Sequence, residues 1–94
     1  MKKYAQETIC IQGGYEPKNG EPRILPIFQS TTYKYDEADE VAKLFDLEAA
    51  GHMYSRISNP TVEALEKKIA EMEGGVGAMA TSSGQAANLI AVLT

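Results

Sequence analysis

Two short stretches carry the groups best suited to holding an anion. Thr81-Ser82-Ser83-Gly84-Gln85 stands where an apolar run hands over to a helical one, and the free N–H groups and dipole of a helix N-terminus favour negative charge. Gly84 lets a ligand approach the backbone, the hydroxyls add hydrogen bonds, and no carboxylate lies close in sequence to repel an anion. A phosphate suits such a turn. A plain helix cap by Ser82 or Ser83 suits it equally. The turn lacks the Gly-Lys-Ser/Thr of a P-loop, and no GxGxxG opens the helix, so a nucleotide is disfavoured. The second stretch is Tyr54-Ser55-Arg56, and Arg56 is one of two arginines in the chain. Its planar fork suits phosphate or carboxylate, and a neighbouring tyrosine hydroxyl can complete the same anion's hydrogen bonds. The competing reading is a surface arginine in a local ion pair.

Other chemistry is poorly supplied. His52 is the single histidine and Cys10 the single thiol, so neither a multi-ligand zinc site nor a Cys/His nucleophile pair can be assembled, and both residues read as structural. The seven lysines, at 2, 3, 18, 34, 43, 67 and 68, sit in charged or flexible surroundings. None lies in the apolar pocket that would lower its pKa toward a reactive amine.

The elements that must position the two stretches follow from local signals. Gly13-Gly14, Pro17, Gly20, Pro22 and Pro26 forbid long helices before residue 35 and predict an extended arm with turns. Ile24 to Tyr35 suits either a short strand or irregular extended backbone. Asp36 as N-cap with Asp39 at N3 predicts a helix running on to Ala49-Ala50-Gly51. Asn59 as N-cap, Pro60 at N1 and Val62, Leu65, Ile69 and Met72 on one face predict a second helix ending at Gly74 or Gly75. Glu63 and Lys67 form an i,i+4 pair on its wet side. Val76-Gly77-Ala78-Met79-Ala80 is short and wholly apolar, as a strand buried on both faces would be, and a helix follows from Gln85. Helix, strand, polar turn and helix together spell an α/β fold with a parallel sheet.

The chain has 94 residues, a net charge of −4 and no charged residue from Gly74 onward. The acidic balance argues against nucleic acid or an anionic membrane as partner. Polar residues interrupt the charge-free stretch too often for a membrane span, so it is expected to be buried under a protein layer. The helical run reaching Thr94 has no stop signal, which is expected of an N-terminal portion of a larger protein; a complete small domain is the alternative. Met1-Lys2-Lys3-Tyr4 opens without the apolar core of a signal peptide, and the lone cysteine cannot form an internal disulfide, so the cytoplasm is expected.

Taken together, Pro26-Ile-Phe-Gln-Ser-Thr-Thr-Tyr33, Tyr54-Ser-Arg-Ile-Ser-Asn-Pro-Thr61, Leu65-Glu-Lys-Lys68, Glu73-Gly-Gly75 and Ala80-Thr-Ser-Ser-Gly-Gln-Ala-Ala87 resemble the N-terminal part of the Cys/Met-metabolism family of pyridoxal 5'-phosphate (PLP) enzymes. The resemblance begins near Glu7, keeps the family order, and is strongest to the O-acetylhomoserine sulfhydrylase branch. It implies the fold-type I, aspartate-aminotransferase-like architecture. Residues 1–58 would form an arm and dimerisation segment, and 59–94 the start of the large PLP-binding domain with its parallel or mixed sheet. The resemblance further implies that backbone N–H groups of Gly84 and Gln85, with a weaker part for Ser83, hold the cofactor phosphate. Tyr54 and Arg56 would reach the phosphate of a neighbouring subunit, in a homotetramer built as a dimer of dimers. The implied reaction takes a small amino-acid substrate and makes L-homocysteine from O-acetyl-L-homoserine and sulfide, the cofactor acting as electron sink. A cystathionine γ-synthase, a γ-lyase or a methionine γ-lyase is the alternative within the family, and a non-catalytic assembly module the alternative outside it. The Schiff-base lysine lies further downstream in the family, so this stretch alone is expected to be inert.

Overall fold

The strongest local signals surround Pro60, and the helix they start is the spine of the fold. The computed structural model describes residues 3–94 and contains four helices there: α1 (Gln6–Gln12), α2 (Ala38–Phe45), α3 (Pro60–Glu73) and α4 (Gly84–Leu93). The Asn59 side chain accepts hydrogen bonds from the backbone N–H groups of Thr61 and Val62. Proline at the first helical position costs no hydrogen bond, because that N–H has no intrahelical partner. At the other end Gly74 takes the left-handed conformation (φ 68°), and its N–H returns to the carbonyls of Ala70 and Glu71. Both predicted ends of α3 are therefore found.

α1 was not foreseen within the arm, because the glycines and prolines that argue against long helices all lie beyond Gln12. It packs on α3, where Gln6 Nε2 donates to the Met72 carbonyl at 3.2 Å and Lys68 Nζ to the Cys10 carbonyl at 3.2 Å. Gly14 makes this approach possible: its φ is +81°, and a Cβ there would sit 2.1 Å from the Ala64 carbonyl oxygen. α2 is shorter than predicted and starts one residue later. The Asp36 carboxylate is taken by Lys34 Nζ at 2.5 Å, leaving Glu37 as the N-cap, with its N–H donating to Glu40 Oε2 at 3.4 Å. The helix stops at Phe45, and Leu47 turns the chain with φ 60° well before Gly51.

The predicted strand at 76–80 is absent. Among the described residues the ladder is limited to one isolated antiparallel bridge, between Thr32 and Tyr54. A strand exists only when neighbouring strands take up its N–H and C=O groups, and among the described residues no strand pairs with 76–80, the Ala80 N–H going instead to the Glu66 carboxylate. Nothing among the described residues covers the stretch either, and Val76 and Met79 are fully or largely exposed. Among the described residues only Leu44 and Asn59 are buried, and Val62, Leu65 and Ile69 on the apolar face of α3 remain about half open. The radius of gyration, 15.4 Å, exceeds the roughly 12 Å of a compact domain of this length. Hydrogen bonds between segments, and not a shared apolar core, hold the arm to the helices.

Candidate functional site

The arm and the loop before α3 run side by side. Ser55 N–H donates to the Thr31 carbonyl at 2.8 Å, one residue from the Thr32–Tyr54 bridge. The chain then folds back on itself, with the N–H groups of Ile57 and Ser58 both reaching the Tyr54 carbonyl, at 2.9 and 3.0 Å. Arg56 stands at the tip of this turn, exposed. Its guanidinium carbon lies 5.1 Å from the centroid of the Tyr54 ring, within the range of a cation–π contact. Among the described residues no carboxylate comes within ion-pair distance of Arg56, and the local ion pair that was the competing reading is not formed. Its donors remain available to an external anion.

Arg56 borders a cleft of about 450 Å³ whose wall includes His52, Ser58, Glu63, Glu66 and Met79. His52 is fixed from both ring nitrogens: Nε2 lies 2.9 Å from Glu63 Oε2 and Nδ1 lies 2.9 Å from Ser58 Oγ. Glu63 also takes Lys67 Nζ at 2.8 Å, the predicted i,i+4 pair. The Lys67 hydrogen bond, followed by the charges of Lys67 and His52, holds the Glu63 carboxyl below its ordinary range against an opposing effect of partial burial. Glu66 accepts from the Ala80 N–H at 2.8 Å. Both carboxylates of the cleft are thus engaged by donors of their own chain, which limits their repulsion of an incoming anion.

The other stretch, Thr81–Gln85, sits at the start of α4. Ser83 is the N-cap, its hydroxyl oxygen accepting from Ala86 N–H at 3.1 Å, while Thr81 Oγ1 donates to the Ser83 carbonyl at 2.9 Å. Among the described residues the N–H groups of Gly84 and Gln85 meet no acceptor. A hydroxyl has two lone pairs and one proton, so Ser83 can cap the helix and still donate to an anion. The first turn of α4 carries no acidic residue. A Cβ at Gly84 would meet nothing within 4 Å in this chain, so the chain's own packing does not require glycine there. Two unpaired N–H groups, an open glycine and a free hydroxyl proton are the fittings of a phosphate cradle. The cleft that Arg56 borders includes none of Ser83, Gly84 and Gln85; within one chain the two stretches do not form a common pocket.

Residues 7–94 match the family described as Cys/Met metabolism PLP-dependent enzyme. The chain belongs to this family. It is 43% identical over 93 residues to an O-acetyl-L-homoserine sulfhydrylase of Leptospira meyeri, covering 98% of this chain and 21% of that protein. It is 56% identical over 88 residues to an O-acetyl-L-homoserine sulfhydrylase of Corynebacterium glutamicum, covering 93% and 20% respectively. A crystal structure described as an O-acetylhomoserine (thiol)-lyase of Campylobacter jejuni, containing N'-pyridoxyl-lysine-5'-monophosphate, superposes with a TM-score of 0.88 at 34% identity, over 96% of this chain and 21% of that one. The chain thus spans about a fifth of the length of the relatives it matches. The residues at the start of α4 fit the phosphate of the cofactor for which this PLP-dependent family is named. Among the described residues no helix is long and apolar enough to cross a membrane.

Sequence reading overlooked the polar contacts between the arm and the loop. The Asn59 side chain and the hydroxyls of Ser55 and Tyr33 meet there, although 26 residues separate Tyr33 from Asn59. The available signal was the density of Ser, Thr and Asn at 30–32 and 55–59, two segments outside the helices.

Proposed function

We propose that the protein carrying this chain is a PLP-dependent transferase that makes L-homocysteine from O-acetyl-L-homoserine and sulfide, a cytoplasmic enzyme of methionine biosynthesis. The observation that carries this reading is the pairing of an anion-ready turn at 83–85 with an unpaired arginine on a tyrosine ring, in a chain of the PLP-dependent family. The sulfhydrylase names of its relatives support the substrate class.

In this reading the α4 N-terminus grips the cofactor phosphate through the N–H groups of Gly84 and Gln85 and the Ser83 hydroxyl. Tyr54 and Arg56 complete a phosphate site on a neighbouring subunit, which accounts for two anion-binding stretches that share no cleft within one chain. Residues 1–58 then act as a dimerisation arm and 59–94 open the cofactor-binding domain, in a homotetramer made of two such dimers. When bound, the cofactor supplies an electron sink for breaking and making bonds at the γ-carbon of the amino acid. This chain's residues contribute orientation: two anchors on one phosphate restrict both its position and its tilt.

The test is homocysteine formation by the purified protein from O-acetyl-L-homoserine and sulfide. Release of α-keto acid and ammonia from methionine or cystathionine, without homocysteine synthesis, would replace the transferase with a lyase. Mixed dimers test the shared site. A subunit carrying Arg56→Ala, paired with one lacking the cofactor-linking lysine, should regain one working site, and demonstrated hybrids without activity would place Arg56 in its own subunit's site.

A further inference from the structure

Asn59 does more than cap a helix. It is 8% exposed and the only buried polar residue among those described, and the cap uses only its Oδ1. Its Nδ2 group points the other way, to the Phe28 carbonyl at 3.0 Å, to Ser55 Oγ at 3.0 Å and to Tyr33 Oη at 3.3 Å. Counting protons fixes the direction of each bond. The single proton of Ser55 Oγ goes to the Ser30 carbonyl, so at the 3.0 Å contact between Tyr33 and Ser55 the tyrosine hydroxyl is the donor. Both oxygens then offer lone pairs to Asn59, whose second Nδ2 hydrogen is forked between them. Asp, Ser or Thr would cap α3 as well, but none of them adds a pair of donors.

The residue so gripped is Ser55, between Tyr54 and Arg56. Its N–H is tied to the Thr31 carbonyl beside the Thr32–Tyr54 bridge, which fixes the backbone on one side. The side-chain contacts to Asn59, Tyr33 and Ser30 add directional ties on the other. We propose that Asn59, acting through Ser55 and Tyr33, is a positioning residue that holds the Tyr54–Arg56 turn at the angle needed to grip an anionic phosphate. The inference rests on the phosphate-binding reading above and adds to it the device that aims the arginine.

Asn59→Asp separates the two roles, keeping the capping oxygen while replacing the donor group with an acceptor that faces three oxygens. Ser55→Ala removes the shared hydroxyl without touching the cap, and keeps the test available should Asn59→Asp fail to fold. Each variant of the full-length protein is titrated with PLP as apoenzyme, and its melting temperature is recorded. Asn59→Asp should raise the dissociation constant about tenfold, equivalent to about 1.4 kcal/mol, and Ser55→Ala severalfold, with titrations run well below each variant's melting temperature. Because both changes act through Arg56, combining either with Arg56→Ala should weaken binding no further than Arg56→Ala alone. Additive losses, or PLP affinity unchanged in Ser55→Ala while Arg56→Ala is weakened, overturn the proposal. An Arg56→Ala protein that binds PLP normally overturns the phosphate reading itself, and this inference with it.

Discussion

Removing the Arg56 guanidinium is the most direct perturbation. Arg56 has no carboxylate partner among the described residues, so Arg56→Ala leaves no internal acid unpaired. Its only described aromatic contact is the Tyr54 ring at 5.1 Å. The loss should therefore fall on the external anion and leave folding almost untouched. One charge-assisted hydrogen bond to phosphate is worth about 1.5–3 kcal/mol, which corresponds to a 10- to 150-fold rise in the dissociation constant of PLP. Arg56→Lys keeps the charge but not the planar fork and should fall between wild type and Arg56→Ala. Apoenzyme titration followed by cofactor absorbance reads the constants, and thermal denaturation of the apoprotein reads folding. A lower melting temperature with unchanged PLP affinity would refute the reasoning, because it would make Arg56 a structural residue.

Three further outcomes follow from other positions. Gly84→Ala meets no atom in this chain and occupies the first helical turn, so stability should hold or rise by up to about 1 kcal/mol, while PLP affinity falls because the new methyl intrudes on the phosphate; melting and titration together check both halves. Gly14→Ala combines a positive φ with a Cβ 2.1 Å from the Ala64 carbonyl oxygen and should destabilise the α1–α3 contact by about 2–4 kcal/mol, seen as a lower thermal midpoint. The Glu63 pKa is lower in the folded state than its ordinary 4.5, so its stabilising effect is present above that value and lost as pH falls through the folded pKa. Glu63→Gln should therefore flatten the acid limb of the stability profile below about pH 4.5, and by only about 0.2–1 kcal/mol for so exposed a pair; an unchanged acid limb in denaturant titrations would contradict it.

What could be read in advance divides by sequence range. α3 was legible at both ends because Asn59, Pro60 and Gly74 act on backbone within three or four residues of themselves. The Ser83 cap and the Glu63–Lys67 pair are equally local. α1 was hidden by averaging: the glycines and prolines counted against helices in the arm begin at Gly13. For α2 the rival carboxylates Asp36 and Glu37 stand side by side, and Lys34, two residues upstream, decided between them. The strand at 76–80 is a cooperative, non-local structure, and an apolar pattern cannot form one without neighbours. At the candidate site, both anion-binding stretches were legible from residue type, whereas the contacts joining Asn59, Ser55 and Tyr33 link residues up to 26 apart.

The balance of forces in this chain bears on how such a site is kept in register. Among the described residues one apolar side chain, Leu44, is buried, while Val76, Met79, Leu89 and Leu93 stand open. Hydrophobic burial favours contact without setting an angle; hydrogen bonds weaken steeply once their geometry is bent. The arm is tied to the α3 N-terminus by the directional kind, with Thr61 Oγ1 donating to the Pro26 carbonyl and accepting from Phe28 N–H, both at 2.9 Å, beside the Asn59 contacts. Those bonds fix where the Tyr54–Arg56 turn points relative to the helix axis. An apolar layer laid over α3 and α4 could add most of the stability and still leave that angle unchanged. Positioning and stability would then lie in different residues, so variants at Asn59 or Ser55 should shift cofactor binding more than their cost in stability explains.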